Sequence, residues 1–253
     1  MSAKQRVPFI GANWKMYLMP DQVIPYIETI KDQLPSPDQA EVMIAASPLY
    51  LWPLLDHAKG SNVIIAAENC DYHDTGAYTG EVSPKALSEM GITYSIAGHS
   101  ERRHYFDEDP EIVNKKVHAL LRNHINPIVC CDETLVRTET DDDVHWVVSQ
   151  VIAAFKNVDA SDAAKMMIAY EPRWAIGTGI TASAEEAEEG CALIRQTISS
   201  IYSPALADTV RVLYGGSVTP KTVKALMAQP DIDGVLVGSA SLDPNEFLKL
   251  IHY

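Results

Sequence analysis

Short apolar runs rich in β-branched residues alternate with longer amphipathic stretches along the whole 253-residue chain. Short runs of this kind are typical of buried parallel strands, and the longer stretches are typical of helices. The eight predicted strands are residues 7–13, 41–46, 63–67, 93–97, 127–131, 166–171, 210–214 and 234–237. The predicted helices that follow them are 20–33, 48–58, 83–90, 109–123, 141–156, 183–202, 220–228 and 243–251. Prolines 48, 84, 110, 220 and 244 stand near helix starts, where a missing N–H is harmless.

Two α/β architectures share this alternation of strands and helices: a closed barrel and an open doubly wound sheet. An open sheet usually carries a glycine-rich GxGxxG turn after its first strand, whereas residues 11–15 read GANWK. The equal spacing of the strand–helix units and their number, eight, favour the closed barrel. We therefore predict a single (β/α)8 barrel, with residues 1–253 forming one domain.

Composition limits the partners and the compartment. The chain has 34 acidic and 20 basic residues, a net charge of −14, which argues against a nucleic-acid or anionic-membrane surface. Cys70, Cys130, Cys131 and Cys191 form no CxxC pair, so buried reduced thiols are expected. The sequence has no signal-peptide pattern and no 18-residue apolar run, so we expect a cytoplasmic protein.

Reactive side chains follow the predicted strands. In a barrel these strand ends meet at one mouth, where active sites form. Glu171 closes an apolar run, and burial there would raise its pKa and make it a better base. His99 precedes a possible helix start, whose N–H groups would keep the imidazole neutral. Lys15 could neutralise an oxyanion or a phosphate. Taken singly, each residue is more often structural: a paired glutamate, a hydrogen-bonded histidine, a solvated lysine.

Two glycine turns, YGGSV at 214–218 and VGSA at 237–240, follow the seventh and eighth strands. Exposed N–H groups at such turns bind phosphate in many barrels, although glycine alone is merely permissive. The segment 172–182 has neither strand nor helix periodicity, and a long loop beside a base is often a lid.

Together these stretches resemble the triosephosphate isomerase family over essentially the whole chain. The matching motifs are GANWKM (11–16), GAYTGE (76–81), GHSERR (98–103), AYEPRWAIGTG (169–179), YGGS (214–217) and GVLVGSASL (234–242). Their order and their placement in the expected units make the combination far more specific than any one motif.

The resemblance implies a mechanism and a set of roles. The reaction would interconvert dihydroxyacetone phosphate and D-glyceraldehyde 3-phosphate through an enediol(ate), without cofactor or metal. Glu171 would be the base, His99 the electrophile and Lys15 the oxyanion stabiliser, with Asn13 and Glu101 as further catalytic residues. The phosphate would be held by N–H groups of Gly177, Ser217, Gly238 and Ser239. Cys130 and Glu133 match supporting positions.

The resemblance also implies a homodimer, in which the 71–82 loop brings Thr79 near the partner's site. Five positions depart from the family pattern: Tyr17, Glu68, Asp132, Ile180 and Ser239. Two other readings stay open. One is a related isomerase of a four-carbon ketose phosphate, and the other is a non-catalytic barrel that binds a phosphometabolite.

Overall fold

The computed structural model describes residues 6–133, 141–172 and 182–253. In this part of the chain, eight parallel strands form a closed barrel in sequence order, with the eighth strand paired to the first. The predicted fold class is therefore confirmed. The strands are β1 (Phe9–Asn13), β2 (Glu41–Ala46), β3 (Val63–Ala67), β4 (Tyr94–Ala97), β5 (Asn126–Asp132), β6 (Met167–Glu171), β7 (Arg211–Tyr214) and β8 (Gly234–Val237).

Helices surround the barrel, and most begin as the sequence predicted. Within the described residues they are α1 (Pro20–Ile30), α2 (Pro48–His57), α3 (Pro84–Glu89), α4 (Ser100–Tyr105), α5 (Pro110–Arg122), α6 (Asp141–Ala154), α7 (Ala160–Ala163), α8 (Ala184–Ile201), α9 (Pro204–Ala207), α10 (Val223–Met227) and α11 (Pro244–Ile251). The short helix α4 begins at the possible helix start after His99, whereas the short helices α7 and α9 were not predicted. Pro220 does not begin a helix, because Thr219 and Thr222 close a turn on each other before α10 starts.

Two layers of apolar side chains make the core, and strand alternation decides which layer a residue joins. On β6, Met167 and Ala169 point into the barrel, while Ile168 and Tyr170 pack against the helices. The same alternation turns Glu171 inward at the end of the strand. The barrel interior is filled by Phe9, Met43, Ala45, Ala66, Ile96, Ile128, Cys130, Met167, Ala169, Leu213 and Leu236.

Buried charges stabilise the end of the barrel opposite the strand carboxyl ends. The Asp233 carboxylate accepts hydrogen bonds from Arg6 Nε at 2.7 Å, from Arg195 at 2.6 Å and from the Val212 N–H at 2.9 Å. Three donors meet the hydrogen-bonding needs of this buried carboxylate, so we assign this end of the barrel a structural role. Among the helices described here, none is both long and apolar enough to span a bilayer.

Candidate active site

A cavity of about 450 Å³ opens at the carboxyl ends of the strands. It is lined by residues that follow β1, β4, β7 and β8, including most of the predicted site. The lining comprises Asn13, Lys15, Tyr17, His99, Ser100, Glu101, His104, Tyr105, Gly215, Gly216, Ser217, Val218, Leu236, Val237, Gly238, Ser239 and Ala240. The strand ends therefore bring distant parts of the sequence to one mouth.

The turn after β1 directs an ammonium group into this cavity. Asn13 Oδ1 accepts the Lys15 N–H at 3.2 Å, and Lys15 has a left-handed φ of 51°. Only a few per cent of non-glycine residues adopt such a φ, so the turn holds Lys15 in an uncommon conformation. Its Nζ lies 2.7 Å from Glu101 Oε1. Lys15 also approaches the last glycine turn: a Cβ added at Gly238 would lie 3.7 Å from its Cε.

His99 caps the first turn of α4, and its hydrogen bonds indicate a tautomer. Its Nδ1 accepts the Glu101 N–H at 3.2 Å, so that nitrogen carries no proton. The other ring nitrogen, Nε2, lies 2.8 Å from Glu171 Oε1 and donates to it. This pattern assigns a neutral imidazole with its proton on Nε2. Such a group can give a proton to an oxygen without first being charged.

Glu171 is 1% exposed, and both of its oxygens are engaged. Oε1 faces His99, and Oε2 accepts the Ser100 N–H at 2.8 Å. Burial raises the pKa of the Glu171 carboxyl, but the His99 ring, the Ser100 N–H and the Lys15 charge together lower it below its ordinary value. The expectation of a raised pKa is therefore wrong for this arrangement. Burial was foreseen, whereas the donors that oppose it were not.

The two glycine turns form the part of the cavity lining that follows β7 and β8. Ser217 follows β7, and Gly238 and Ser239 follow β8. Glycine is required at Gly216, because a Cβ there would overlap the Tyr214 hydroxyl. Gly238 stands before a 3₁₀ turn over Ser239–Ser241, whose first N–H groups have no intrahelical acceptor. These turns therefore offer N–H donors to an anion.

Ser239 fits this turn without backbone strain. Gly238 has φ −88°, and Ser239 is not among the residues with positive φ. The Cβ of serine is therefore tolerated, and the Ser239 N–H is retained. The turn is held from behind by Ser241, whose Oγ donates to Gly238 O at 2.7 Å and whose carbonyl accepts from Tyr26 at 2.6 Å.

Some functional positions were not predicted. Ser100 supplies the N–H that holds Glu171, and its place directly after His99 at a helix start could have indicated this. Tyr17, His104 and Tyr105 form the rim of the cavity. Cys130, a predicted supporting residue, lies beneath Glu171 in the barrel interior, where burial and that carboxylate raise the pKa of its thiol well above the usual value. Gly177 and the remainder of the 173–181 segment lie outside the described residues.

Comparison with known proteins settles which family has this site. The sequence pattern of triosephosphate isomerase matches residues 8–253. The chain belongs to the triosephosphate isomerase family. It is 51% identical to the triosephosphate isomerase of Ligilactobacillus salivarius over 98% of this chain and 99% of that protein. The corresponding enzyme of Lactobacillus helveticus is 50% identical, and that of Lactiplantibacillus plantarum 48%, each with 98% of both chains covered. The predicted family and the predicted isomerase activity are confirmed.

One departure from the triosephosphate isomerase pattern changes the electrostatics beside the site. Glu68, which follows β3, occupies a position where glutamine is usual. Burial raises the pKa of the Glu68 carboxyl to about 8; the Lys15 N–H and charge lower it, and Glu101 raises it further. Its Oε1 has no hydrogen-bond partner among the described residues. A buried carboxyl with one oxygen unpaired favours its neutral form.

This arrangement predicts a stability that falls as pH rises. Glu68 ionises near its ordinary pKa of 4.5 when unfolded and near 8 when folded, so folding takes up a proton between these values. The contribution of Glu68 to the unfolding free energy should fall through this window and level off above it. Glu68→Gln removes the ionisation. Its advantage over the unaltered chain should be larger at pH 8 than at pH 5, measured by urea unfolding at one protein concentration.

The exposed residue Glu89 of α3 provides a matched control, and Glu89→Gln should show no such pH-dependent advantage. A Glu68→Gln effect that is equal at pH 5 and pH 8 would contradict a protonated Glu68.

Proposed function

We propose that this chain interconverts dihydroxyacetone phosphate and D-glyceraldehyde 3-phosphate, with Glu171 as base, His99 as electrophile and Lys15 as oxyanion stabiliser. One observation carries the proposal: a carboxylate, a neutral imidazole and an ammonium group converge at one mouth. His99 Nε2 lies 2.8 Å from Glu171, and Lys15 Nζ lies 2.7 Å from Glu101, beside His99. An enediol reaction needs these three groups, whereas a barrel that only bound a phosphometabolite would not need the base.

The proton transfers balance without any further reactant. Glu171 takes a proton from the carbon next to the carbonyl, and the electron pair moves to the carbonyl oxygen. Neutral His99 gives its Nε2 proton to that oxygen and recovers one from the neighbouring hydroxyl. Glu171 then returns its proton to the other carbon. To reach substrate, Glu171 must leave both the Ser100 N–H and His99 Nε2, which exchanges two hydrogen bonds for contact with the reacting carbon.

Lys15 stabilises the negative charge that develops on the substrate oxygens. The Asn13 side chain holds the Lys15 turn, and Glu101 keeps the ammonium from swinging into solvent. A fixed cation in a water-poor cavity needs no reorganisation as charge develops. Asn13 and Glu101 therefore act on the reaction through Lys15.

Backbone N–H groups of Ser217, Gly238 and Ser239 bind the substrate phosphate, and Gly177 adds a further one. The support for the first three is their place in the lining of the cavity that Lys15 and His99 also line. The Lys15 ammonium lies close enough to Gly238 to add favourable charge. A phosphate bound there would direct the triose carbons toward Glu171 and His99.

The working unit is a homodimer formed through the 71–82 loop, with Thr79 near the partner's site. Beside the cavity, the apolar side chains of Met16, Tyr17, Tyr105 and Phe106 are exposed, Met16 by 92%. Apolar side chains grouped at a functional rim mark an interaction surface. Reciprocal docking of each loop on the other rim would form a closed twofold pair.

Two simpler properties complete the proposal. The match from residue 8 to residue 253 supports one domain over residues 1–253. Cys70, Cys130, Cys131 and Cys191 are all buried and unpaired, which supports the reducing conditions of a cytoplasmic location.

Glu171→Gln should remove proton abstraction while leaving phosphate binding intact. We expect kcat to fall by about 10²–10⁴-fold, the usual contribution of a general base, with KM changed only a few-fold. A coupled assay with dihydroxyacetone phosphate measures both. Glu185→Gln, at an exposed position in α8, is the matched control and should retain full activity. Turnover of Glu171→Gln within a few-fold of the unaltered enzyme would refute the assignment of the base.

Ser239→Gly tests the altered phosphate turn. Because the serine retains its N–H and adopts no strained backbone, restoring glycine should change KM by less than about tenfold and leave kcat nearly unchanged. The assay should include a four-carbon ketose phosphate. A large gain in kcat/KM for triose phosphate on restoring glycine would instead mean that Ser239 shapes the pocket for another substrate.

The homodimer is tested by sedimentation across a dilution series that includes the assay concentration. We expect twice the mass of one chain, and activity per chain that falls when dilution dissociates the pair. A fully active monomer at the assay concentration would exclude the dimer as the working unit.

A further inference from the structure

The neck of the 71–82 loop is tied to the body of the barrel. The Asp71 N–H donates to Val82 O at 2.8 Å, which closes the loop at its base. The Ser83 hydroxyl donates to Asp74 O at 2.5 Å. The Asp74 carboxylate accepts from Arg122 at 2.9 Å and from Asn123, both beside the end of α5. Beyond Asp74, residues 75–81 are all exposed.

A stack of rings continues from this neck toward the exposed tip. The His73 and Tyr78 rings are parallel, with centroids 3.9 Å apart and an interplanar angle of 12°. Tyr72 lies on the neck side, 4.2 Å from His73, and Lys115 of α5 stands over the Tyr72 ring at 5.6 Å. The stack therefore links α5 to the loop tip through His73.

Asp71 fixes the orientation of the central ring. One of its carboxylate oxygens accepts both the His73 N–H at 3.2 Å and His73 Nδ1–H at 2.9 Å. Asp71 is itself buried and held by the neck. The imidazole is thus oriented by a group that cannot easily move, and it presents a flat face to Tyr78.

The tip also packs against the Tyr78 ring at Gly76. Gly76 has φ +146°, and a Cβ there would lie 2.5 Å from the Tyr78 ring. Tyr78 therefore contacts both the His73 ring and the Gly76 backbone, although 44% of it remains exposed. Ring stacking of this kind stabilises the tip, whose residues 75–81 are otherwise exposed.

A surface loop that only connects β3 to α3 has no need of such a support. A loop that inserts into another molecule gains from it, because ordering the tip before contact removes part of the entropic cost of association. A tip of small residues, threonine, glycine and alanine, fits the recessed mouth of a second copy, whose rim exposes apolar side chains. We propose that His73 is a positioning residue that holds the loop tip in the conformation that docks on a second copy of this chain. The inference rests on the proposed homodimer.

His73→Ala tests the proposal. It removes the central ring and the bond to Asp71, while the Asp74–Arg122 anchor stays. We expect the dimer dissociation constant, measured by sedimentation equilibrium, to rise by roughly tenfold or more. On dilution, the variant should lose activity per chain at a higher protein concentration than the unaltered enzyme does. Once the variant is concentrated enough to pair, its kcat should return to within about twofold of the unaltered enzyme. A loss caused by a damaged barrel would not be restored by concentration.

Two further variants sharpen the comparison. His73→Phe keeps a flat ring against Tyr78 without the bond to Asp71, so its dissociation constant should lie between those of His73→Ala and the unaltered chain. It also serves if His73→Ala does not fold. His57→Ala is the matched control, since His57 makes a similar 2.7 Å contact with Glu28 on the outer helices. It should leave the dissociation constant unchanged.

The outcomes separate this inference from the homodimer itself. An unaltered chain that is monomeric at every concentration would overturn the dimer and the role of His73 with it. An unaltered chain that pairs, with the same dissociation constant in His73→Ala and His73→Phe, would overturn only the role of His73.

Discussion

The hydrogen bonds between β8 and β1 turn a row of parallel strands into a ring. Phe9 pairs with Gly234, and Ala12 with Val237, so the first and last strands end side by side. Lys15 therefore reaches the turn at Gly238, although 223 residues separate them in the chain. In an open sheet, the same residues would lie at opposite edges. The contact between the Lys15 ammonium and the turn at Gly238 depends on closure of the barrel. Closure in turn depends on how β1 and β8 match in length and register.

The charges at the mouth matter more than the charge of the whole molecule. A net charge of −14 would repel a phosphorylated sugar at long range, but salt screens that repulsion within about 10 Å. Inside the cavity, Lys15 and the N–H groups of the turns act at short range, where screening is weak. Glu171 stays ionised there because His99 and Ser100 donate to it, despite its burial. Local donors, rather than composition, set the chemistry.

The sequence predicted the architecture well because strand and helix periods are local properties. All eight strands were found, and Asn13, Lys15, His99, Glu101 and the two glycine turns meet at one mouth as expected. What failed depended on contacts between distant segments. The pKa of Glu171 is lowered first by His99 and then by the Ser100 N–H, which lie 72 and 71 positions away, and no periodicity reveals those contacts. The start of α10 was missed for a different reason: proline favours a helix start but does not require one, and the hydroxyl of Thr222 closed a turn first.

The alternation of side chains along β6 restricts how enzymes of this shape can diverge. Glu171 faces the mouth only because it lies four and two positions after the inward Met167 and Ala169. Losing or gaining one residue within β6 would send the carboxylate outward among the helices and place the Tyr170 ring over the reacting carbon. The lengths of the strands therefore cannot change, whereas turns at the opposite end of the barrel can become longer or shorter without affecting the active site. Enzymes of this shape can therefore change sequence at many positions, but they can gain or lose residues only at the end of the barrel opposite the active site.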